Sequence, residues 1–389
     1  MSTQALVDFS PLLRLALLAG VVALLPLSWW WLRQRGASVQ ARLAALTAIT
    51  LFLTFDLIVF GAFTRLTDSG LGCPDWPGCY GEASPLGARA EIQSAQSAMP
   101  TGPVTLAKAW IEMVHRYLAM AVGALILVAA VAGWRARRVL PHSPAWGLVT
   151  LVWVIVQGLF GKYTVTLKLY PAIVTAHLLG ALVLLALLVL QHESFANRPL
   201  APQHAPAVQR WALPVLVVVG LQIALGGWVS TNYAVLACTG FPTCNGQWWP
   251  AMDVAHGFTI LRELGRAGHG GYLPFEALVA VHMAHRLFAL VAVLALVGLA
   301  ARLWRLGDGT SRAFARALIG LLLWQVASGL SNIVLGWPIV AALAHSAGAA
   351  ALVGVLVSLW ARARAGARAP LPSTSSAAAR PAGADFRPA

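Results

Sequence analysis

Charge is scarce in this chain. Aspartate and glutamate number 13 and lysine and arginine 27 among 389 residues, so charged side chains make up 10% while hydrophobic ones make up 59%. A chain so poor in charge cannot clothe a water-facing surface, which excludes an ordinary soluble domain. A signal cleavage pattern is also missing. The first apolar stretch is longer than a signal core, ends in Trp29-Trp30-Trp31 and has no clear small-x-small site, so it is expected to stay as a membrane helix. Cysteine is nearly absent. The four present form two Cys-x5-Cys pairs, Cys73/Cys79 and Cys238/Cys244, and with no histidine set nearby that spacing is a poor zinc pattern.

What the chain has instead is apolar runs of about 20 residues, the length that crosses a bilayer. They predict nine spans, near 11–32, 43–64, 109–133, 145–166, 172–191, 211–231, 277–301, 316–336 and 338–360. Without water inside a bilayer the backbone must satisfy itself, so the spans are helices and the class is an all-α polytopic membrane protein. The 16 tryptophans suit its interfaces. The formal charge of +14 would suggest nucleic acid in a soluble protein, but the arginines fall in alternate loops, and no nucleic-acid partner is expected. Arg33, Arg35 and Arg42, then Arg135, Arg137 and Arg138, then Arg198 and Arg210, then Arg302, Arg305, Arg312 and Arg316, and the tail with Arg362, Arg364, Arg368, Arg380 and Arg387 mark the cytoplasmic side. The loops with Asp68, Asp75, Glu82, Glu91, Asp253, Glu263 and Glu276 then face outward. Both cysteine pairs lie in these outward loops, where a bacterial-type membrane meets an oxidising compartment and disulfides are chemically available.

The chain repeats itself. His115 and His177 are separated by 62 residues and His285 and His345 by 60, all inside apolar segments. Trp153 and Gln157 precede His177 as Trp324 and Gln325 precede His345, with 20 residues from each glutamine to its histidine. Glu112-Met-Val-His115-Arg116 answers His282-Met-Ala-His285-Arg286, and Gly61 and Gly227 each stand about a dozen residues before their cysteines. The expected organisation is an extra N-terminal helix and loop at 1–42 and a four-helix bundle at 43–192. A Pro-rich linker at 193–210, a second four-helix bundle at 211–361 and a disordered tail at 362–389 follow. The two bundles are pseudo-symmetric and parallel, and all four histidines share one depth, toward the outer side.

A histidine inside an apolar helix is expensive unless partnered. A single one is more often a hydrogen-bonded core residue, but four at repeated positions suggest metal or haem ligation. A haem iron takes two axial imidazoles from different helices, and each half supplies such a pair, His115/His177 and His285/His345. His142, His192 and His204 read as surface residues, and His256 and His269 sit in an outward loop. The halves differ at one turn before the first histidine, where Glu112 stands in one and His282 in the other. A sheltered carboxylate beside an iron ligand can handle protons, although Glu112 also reads as a charge partner for Arg116 or Lys108. Arg65, Arg116 and Arg286 are candidates for haem propionate contacts or, equally, snorkelling interfacial arginines. Asp56 is an intramembrane carboxylate with no partner named by the sequence.

The segment Gly61–Gly81, GAFTRLTDSGLGCPDWPGCYG, closely resembles the first outer loop of the heme A synthase family, and Glu112-Met-Val-His115-Arg116 resembles that family's Glu-x-x-His-Arg motif. The resemblance covers about 43–361. It implies oxidation of the C8 methyl of haem O to the formyl of haem A for terminal oxidases, by successive hydroxylations giving a gem-diol that loses water. By position it implies that His115 and His177 hold substrate or product haem and that His285 and His345 ligate a b-type haem. It makes Glu112 the catalytic carboxylate, Cys73/Cys79 a redox-linked pair and Cys238/Cys244 a second disulfide. It implies haem O, the lipid bilayer, an electron donor and a haem O-supplying enzyme as partners, allows a homo-oligomer, and places the chain in a bacterial-type cytoplasmic membrane. The first span departs from the usual eight-helix pattern. A di-haem carrier of cytochrome b type would explain the quartet but neither the Glu112/His282 difference nor the cysteine loop. A haem transporter needs only reversible ligation, and a membrane thiol oxidoreductase leaves the histidines without purpose.

Overall fold

Helices account for nearly all the regular structure in the computed structural model, which describes residues 10–140, 143–268 and 271–369. His142, His269, Arg380, Arg387 and the tail beyond 369 lie outside the described residues. In chain order the helices are α1 (Ser10–Arg33), α2 (Val39–Leu66), α3 (Arg89–Ala98), α4 (Leu106–Arg135), α5 (Ala145–Thr166), α6 (Pro171–Ala196), α7 (Ala205–Thr231), α8 (Val254–Gly257), α9 (Phe275–Leu306), α10 (Gly309–Val334) and α11 (Ile339–Ala367). Among the described residues nine of these, all but α3 and α8, are long and apolar enough to cross a membrane. The protein is an all-α, multi-pass membrane protein.

The helices outrun the apolar stretches because their ends are capped and their polar last turns still hydrogen-bond internally. Ser38 accepts from Ala41 N at the start of α2, and Thr105 from Lys108 N at the start of α4. Asp308 accepts from Ser311 N at 2.8 Å, so α10 begins at Gly309, seven residues before the apolar run that predicts it. Similarly α11 continues to Ala367, so the first residues of the expected disordered tail, 362–367, are helical. The expected linker also shrinks. Helix α6 runs to Ala196 and stops at Asn197, which is left-handed at φ 47°, while α7 starts at Ala205 with Pro206 in its first turn. Between them Leu200 is buried and bonded through its N–H to Arg362 O.

Packing sorts the spans into two sets. Helices α2, α4, α5 and α6 pack in a closed circuit, and α7, α9, α10 and α11 in another; α6 and α11 join the circuits, with α2 and α7 contributing. The largest apolar core runs across the join, from Ile58, Leu185 and Val189 to Val208, Leu299, Leu318 and Leu356. Polar contacts close both ends of the seam. At one end Arg65 Nη2 donates to Ser230 O (2.6 Å), Tyr233 OH donates to Asp68 Oδ1 (2.7 Å), and Thr175 and Thr231 share a hydroxyl hydrogen bond (3.1 Å). At the other, buried Glu193 of α6 accepts from Ser358 and Arg362 of α11.

Helix α1 lies outside the circuits, mainly against α4. Leu15, Ala19 and Ala23 form its buried stripe at helical spacing. Leu15 reaches the core that also holds Cys73, Cys79, Ile92 and Met113, so the extra helix covers the first cysteine loop. At its other end Trp30 Nε1 donates to Arg42 O, and the Arg42 guanidinium lies 4.9 Å from the Trp31 ring centre.

Candidate functional site

The four histidines occupy matched places. His115 and His285 sit in the third turn of α4 and α9, and His177 and His345 in the second turn of α6 and α11. All four lie at the end of the molecule that carries both cysteine loops. Within each half the two histidines come from helices on opposite sides of the circuit, α4 and α6 or α9 and α11.

Each ring is packed against a glycine on the preceding spanning helix. A β-carbon on Gly61 of α2 would stand 3.0 Å from His115 Cε1, and one on Gly226 of α7 2.9 Å from His285 Cε1. At Gly329 of α10 the distance to His345 Cε1 would be 3.2 Å, and at Gly161 of α5 it would be 3.6 Å to His177 Cε1. At Gly61, Gly226 and Gly329 the missing side chain is the space the imidazole uses, while Gly161 stands at the matching place with room to spare. The glycine that answers Gly61 is therefore Gly226. Gly227, its neighbour, points about 100° away around the helix and packs on Leu178 and Thr175 of α6.

The Nδ1 atoms divide the quartet. His345 Nδ1 lies 3.1 Å from Ser328 Oγ and His285 Nδ1 3.1 Å from Gln222 Nε2. Nδ1 of His115 and of His177 are buried without a hydrogen-bond partner among the described residues. His115 instead stacks on Phe60, with ring planes 8° apart.

Each half carries a loop closed by a disulfide, Cys73–Cys79 and Cys238–Cys244, with Cα atoms 4.9 and 4.7 Å apart. Each loop is held down by the arginine that follows the first histidine. Arg116 Nη1 donates to the carbonyls of Asp75 (2.9 Å), Pro77 (3.1 Å) and Gly78 (2.5 Å). Arg286 donates to the carbonyls of Gly240 (3.1 Å), Thr243 (3.2 Å) and Cys238 (3.0 Å). Both guanidinium groups are thus engaged with loop backbone, and Arg65 with Ser230 O, Asp68 and the Tyr233 ring.

Glu112 and His282 occupy the same place in the two halves, and both are 4% exposed. The Glu112 carboxylate accepts from Cys73 N at 2.8 Å and forms an ion pair with Arg116 Nη2. His282 Nε2 accepts from Arg286 Nε at 3.2 Å. The charge partner of Glu112 is therefore Arg116, while Lys108 donates to Gly102 O. In one half a carboxylate connects the arginine, the disulfide loop and the histidine helix; in the other a second imidazole takes that place. Asp56 is exposed on α2, one turn before Phe60.

The loop of the second half has its own order. The His256 backbone amide and ring both bond Asp253, at 3.0 and 2.6 Å, and hold its carboxyl below the usual carboxylate range. Arg262 is 3% exposed, donates to Asn232 Oδ1 at 2.5 Å and lies over the Trp228 ring, and its burial lowers its affinity for a proton.

The glycine quartet, Gln222 and Ser328 escape a reading of the sequence. The repeat could have revealed the glycines, since Gly161 and Gly329 both precede their histidines by 16 residues.

Comparison with known proteins gives consistent likenesses. The family model for COX15-CtaA, cytochrome oxidase assembly protein, matches residues 44–357. A heme A synthase from Shewanella oneidensis is 38% identical over 82% of this chain and 96% of that protein. One from Caulobacter vibrioides is 30% identical over the same shares, and one from a Methylobacterium species is 31% identical over 86% of this chain and 96% of its own length.

Proposed function

This chain belongs to the heme A synthase family, and from that premise we propose that it oxidises the C8 methyl group of haem O to a formyl group, giving haem A for terminal oxidases. The observation that carries the proposal is a pair of twin sites in which a buried carboxylate of one is replaced by an imidazole in the other. Both halves share the glycine-backed histidine pair, the disulfide loop and the arginine clamp, yet Glu112 stands where the other half has His282.

The residues fit a haem in each half. The donors come two by two, the number that a haem iron leaves open at its axial positions, from helices that face each other across their circuit, α4 and α6 in one half and α9 and α11 in the other. Gly61, Gly226 and Gly329 keep their helices clear of the rings, which would leave those imidazoles free to ligate iron. In this reading His285 and His345 ligate a resident b-type haem, which supplies a reversible one-electron carrier. His115 and His177 hold haem O as substrate and haem A as product.

Glu112 is placed to hold or pass a proton in the first half. Its carboxylate is buried, and its two oxygens are fixed by Cys73 N and Arg116, so its position is set by the closed loop. Cys73 and Cys79 bear on the same carboxylate through that backbone amide, which links the state of the disulfide to the first site. The second disulfide, Cys238–Cys244, lacks such a carboxylate. Arg65, Arg116 and Arg286 act in this reading by ordering the loops and the seam, and would be the candidates to meet haem propionates.

We also assign residues 43–192 as the unit that takes the substrate and 211–361 as the unit that keeps haem b, with 1–42 as an added helix. By the positive-inside rule the cysteine loops face the outer side of a bacterial-type cytoplasmic membrane and the C-terminus the cytoplasm. An electron donor and an enzyme that supplies haem O are the partners this chemistry requires, and self-association is compatible with it.

The alternative, a di-haem electron carrier, draws support from the matched placing of glycine behind histidine in the two halves. Expression in cells that make haem O but cannot convert it separates the two. Haem A in acid extracts is the expected result. Unchanged haem O, with two equivalent b haems reduced by quinol, would replace the proposal with the carrier.

A further inference from the structure

The two histidine pairs share one geometry but not one set of neighbours. Gly61 and Gly226 each back the first histidine of their half. Four residues earlier on the same helices stand Leu57 and Gln222. Gly161 and Gly329 each back the second histidine, and one residue earlier stand Phe160 and Ser328. At both positions the second half has a polar side chain in contact with Nδ1, and the first half has an apolar one. Among the described residues the Nδ1 atoms of His115 and His177 are accordingly buried and unpartnered, while those of His285 and His345 have a neighbour.

We propose that Ser328 and Gln222 are positioning residues that make His345 and His285 permanent haem ligands, and that Phe160 and Leu57, standing in their places, make the first pair a site from which haem can leave. This rests on the function proposed above, in which one haem stays and the other must enter and depart.

The chemistry at Ser328 is complete. Its hydroxyl donates to Trp324 O at 2.7 Å, which turns a lone pair toward His345 Nδ1 at 3.1 Å. Nδ1 then carries the proton and donates it to Oγ, and the Nε2 lone pair is left free for iron. The hydrogen bond fixes the ring's tautomer and angle and makes the imidazole a stronger donor. Gln222 positions His285 by a different contact. Its Nε2 donates to the backbone carbonyl of His285 at 3.1 Å and lies 3.1 Å from Nδ1, so it pins the edge of the ring against its own helix. Phe160 and Leu57 offer no acceptor. Their histidines keep weaker donor strength, and no Nδ1 hydrogen bond holds their rings, which lowers the barrier to ligand exchange. The stacking of His115 on Phe60 constrains its plane without engaging Nδ1.

The test is haem loss from purified full-length protein to excess apomyoglobin, with the haems in donor and acceptor identified by chromatography over time. In the wild type, haem O or haem A should transfer faster than haem B. Ser328→Ala should speed the loss of haem B by about 10–100-fold, the usual effect of removing such a ligand partner, and raise its midpoint potential, because the ferric state loses donor strength. Ser328→Thr should restore both. Phe160→Ser should slow the release of the other haem without altering that of haem B, a gain that general destabilisation could not produce. Haem B loss and potential unchanged in Ser328→Ala, together with unchanged release in Phe160→Ser, would overturn the inference while leaving the function intact. A wild type with one kind of haem in both halves would overturn the function and this inference with it.

Discussion

A β-carbon placed at each of the four ligand-facing glycines would meet its histidine at a different distance, so Gly→Ala substitutions should have graded effects. Ordinary carbon–carbon contact is about 3.5–4.0 Å. At Gly226 and Gly61 the new methyl would stand 2.9 and 3.0 Å from Cε1, so the ring or helix must yield by roughly 0.5–1 Å. That exceeds the roughly 0.5 Å within which a functional constellation holds its geometry. At Gly329 the separation of 3.2 Å asks for a few tenths of an ångström, and at Gly161 3.6 Å asks for nothing. A second effect runs the other way, since alanine in a helix interior is favoured over glycine by about 1 kcal/mol. Overpacking costs about 1–3 kcal/mol and wins where the contact is short. The Gly226→Ala variant should therefore lose most of its haem B, and Gly61→Ala most of its haem O or haem A. The Gly329→Ala variant should lose part of its haem B. The Gly161→Ala variant should keep full occupancy and unfold at a slightly higher temperature. Pyridine haemochrome spectra with chromatographic haem identification give the occupancy, and thermal unfolding in detergent gives the stability. Normal haem loading in both Gly226→Ala and Gly61→Ala, or equal loss in Gly161→Ala, would refute the claim that these glycines make room for the ligands.

Three further outcomes are expected. Glu112→Gln should keep the spectrum of haem B and lower conversion of haem O by about 10²–10⁴-fold; conversion near the wild-type rate would remove Glu112 from the chemistry. Glu193→Ala leaves Arg362 without its carboxylate at the buried seam between α6 and α11 and should cost about 3–5 kcal/mol of stability, read in detergent unfolding; a change within error would mean the seam is held by its apolar core alone. The Asp253 carboxyl is held below its ordinary range by the His256 amide and ring, so its support of α8 is full above about pH 4 and is lost as pH falls through the lower folded-state value. Hydrogen exchange at the His256 amide should accelerate on acidification through that window relative to distant loop amides, and a constant ratio from neutral to acid pH would contradict it.

The nine spans found among the described residues were legible because a bilayer demands apolar length and the hydropathy of those segments supplies it. Their ends were less so. The start of α10 depends on Asp308 capping Ser311, and the end of α11 on arginines that remain helical, and neither raises hydropathy. The short helices α3 and α8 had no apolar signature at all. The ligand candidates stood out because histidine is rare in apolar helix and because four of them repeat. What surrounds them did not. Whether Gly226 or Gly227 faces His285 is a matter of one residue, which swings a side chain about 100° around a helix, and spacing to the cysteines cannot resolve that. Ser328 and Gln222 are ordinary polar residues in sequence, and they matter only because a different helix brings a histidine to them. The pairing of Glu112 with Arg116 was open beside Lys108, and the carboxylate's bond to Cys73 N joins residues 39 apart, beyond any local pattern.

The central claim is that the two histidine pairs hold different haems. It is tested most directly by acid extraction and chromatography of haems from purified His115→Ala and His285→Ala proteins, expressed where haem O is made. His115→Ala should retain haem B and lose haem O and haem A, and His285→Ala should lose haem B. The same haem lost from both variants, or haem B lost from His115→Ala alone, would contradict the account.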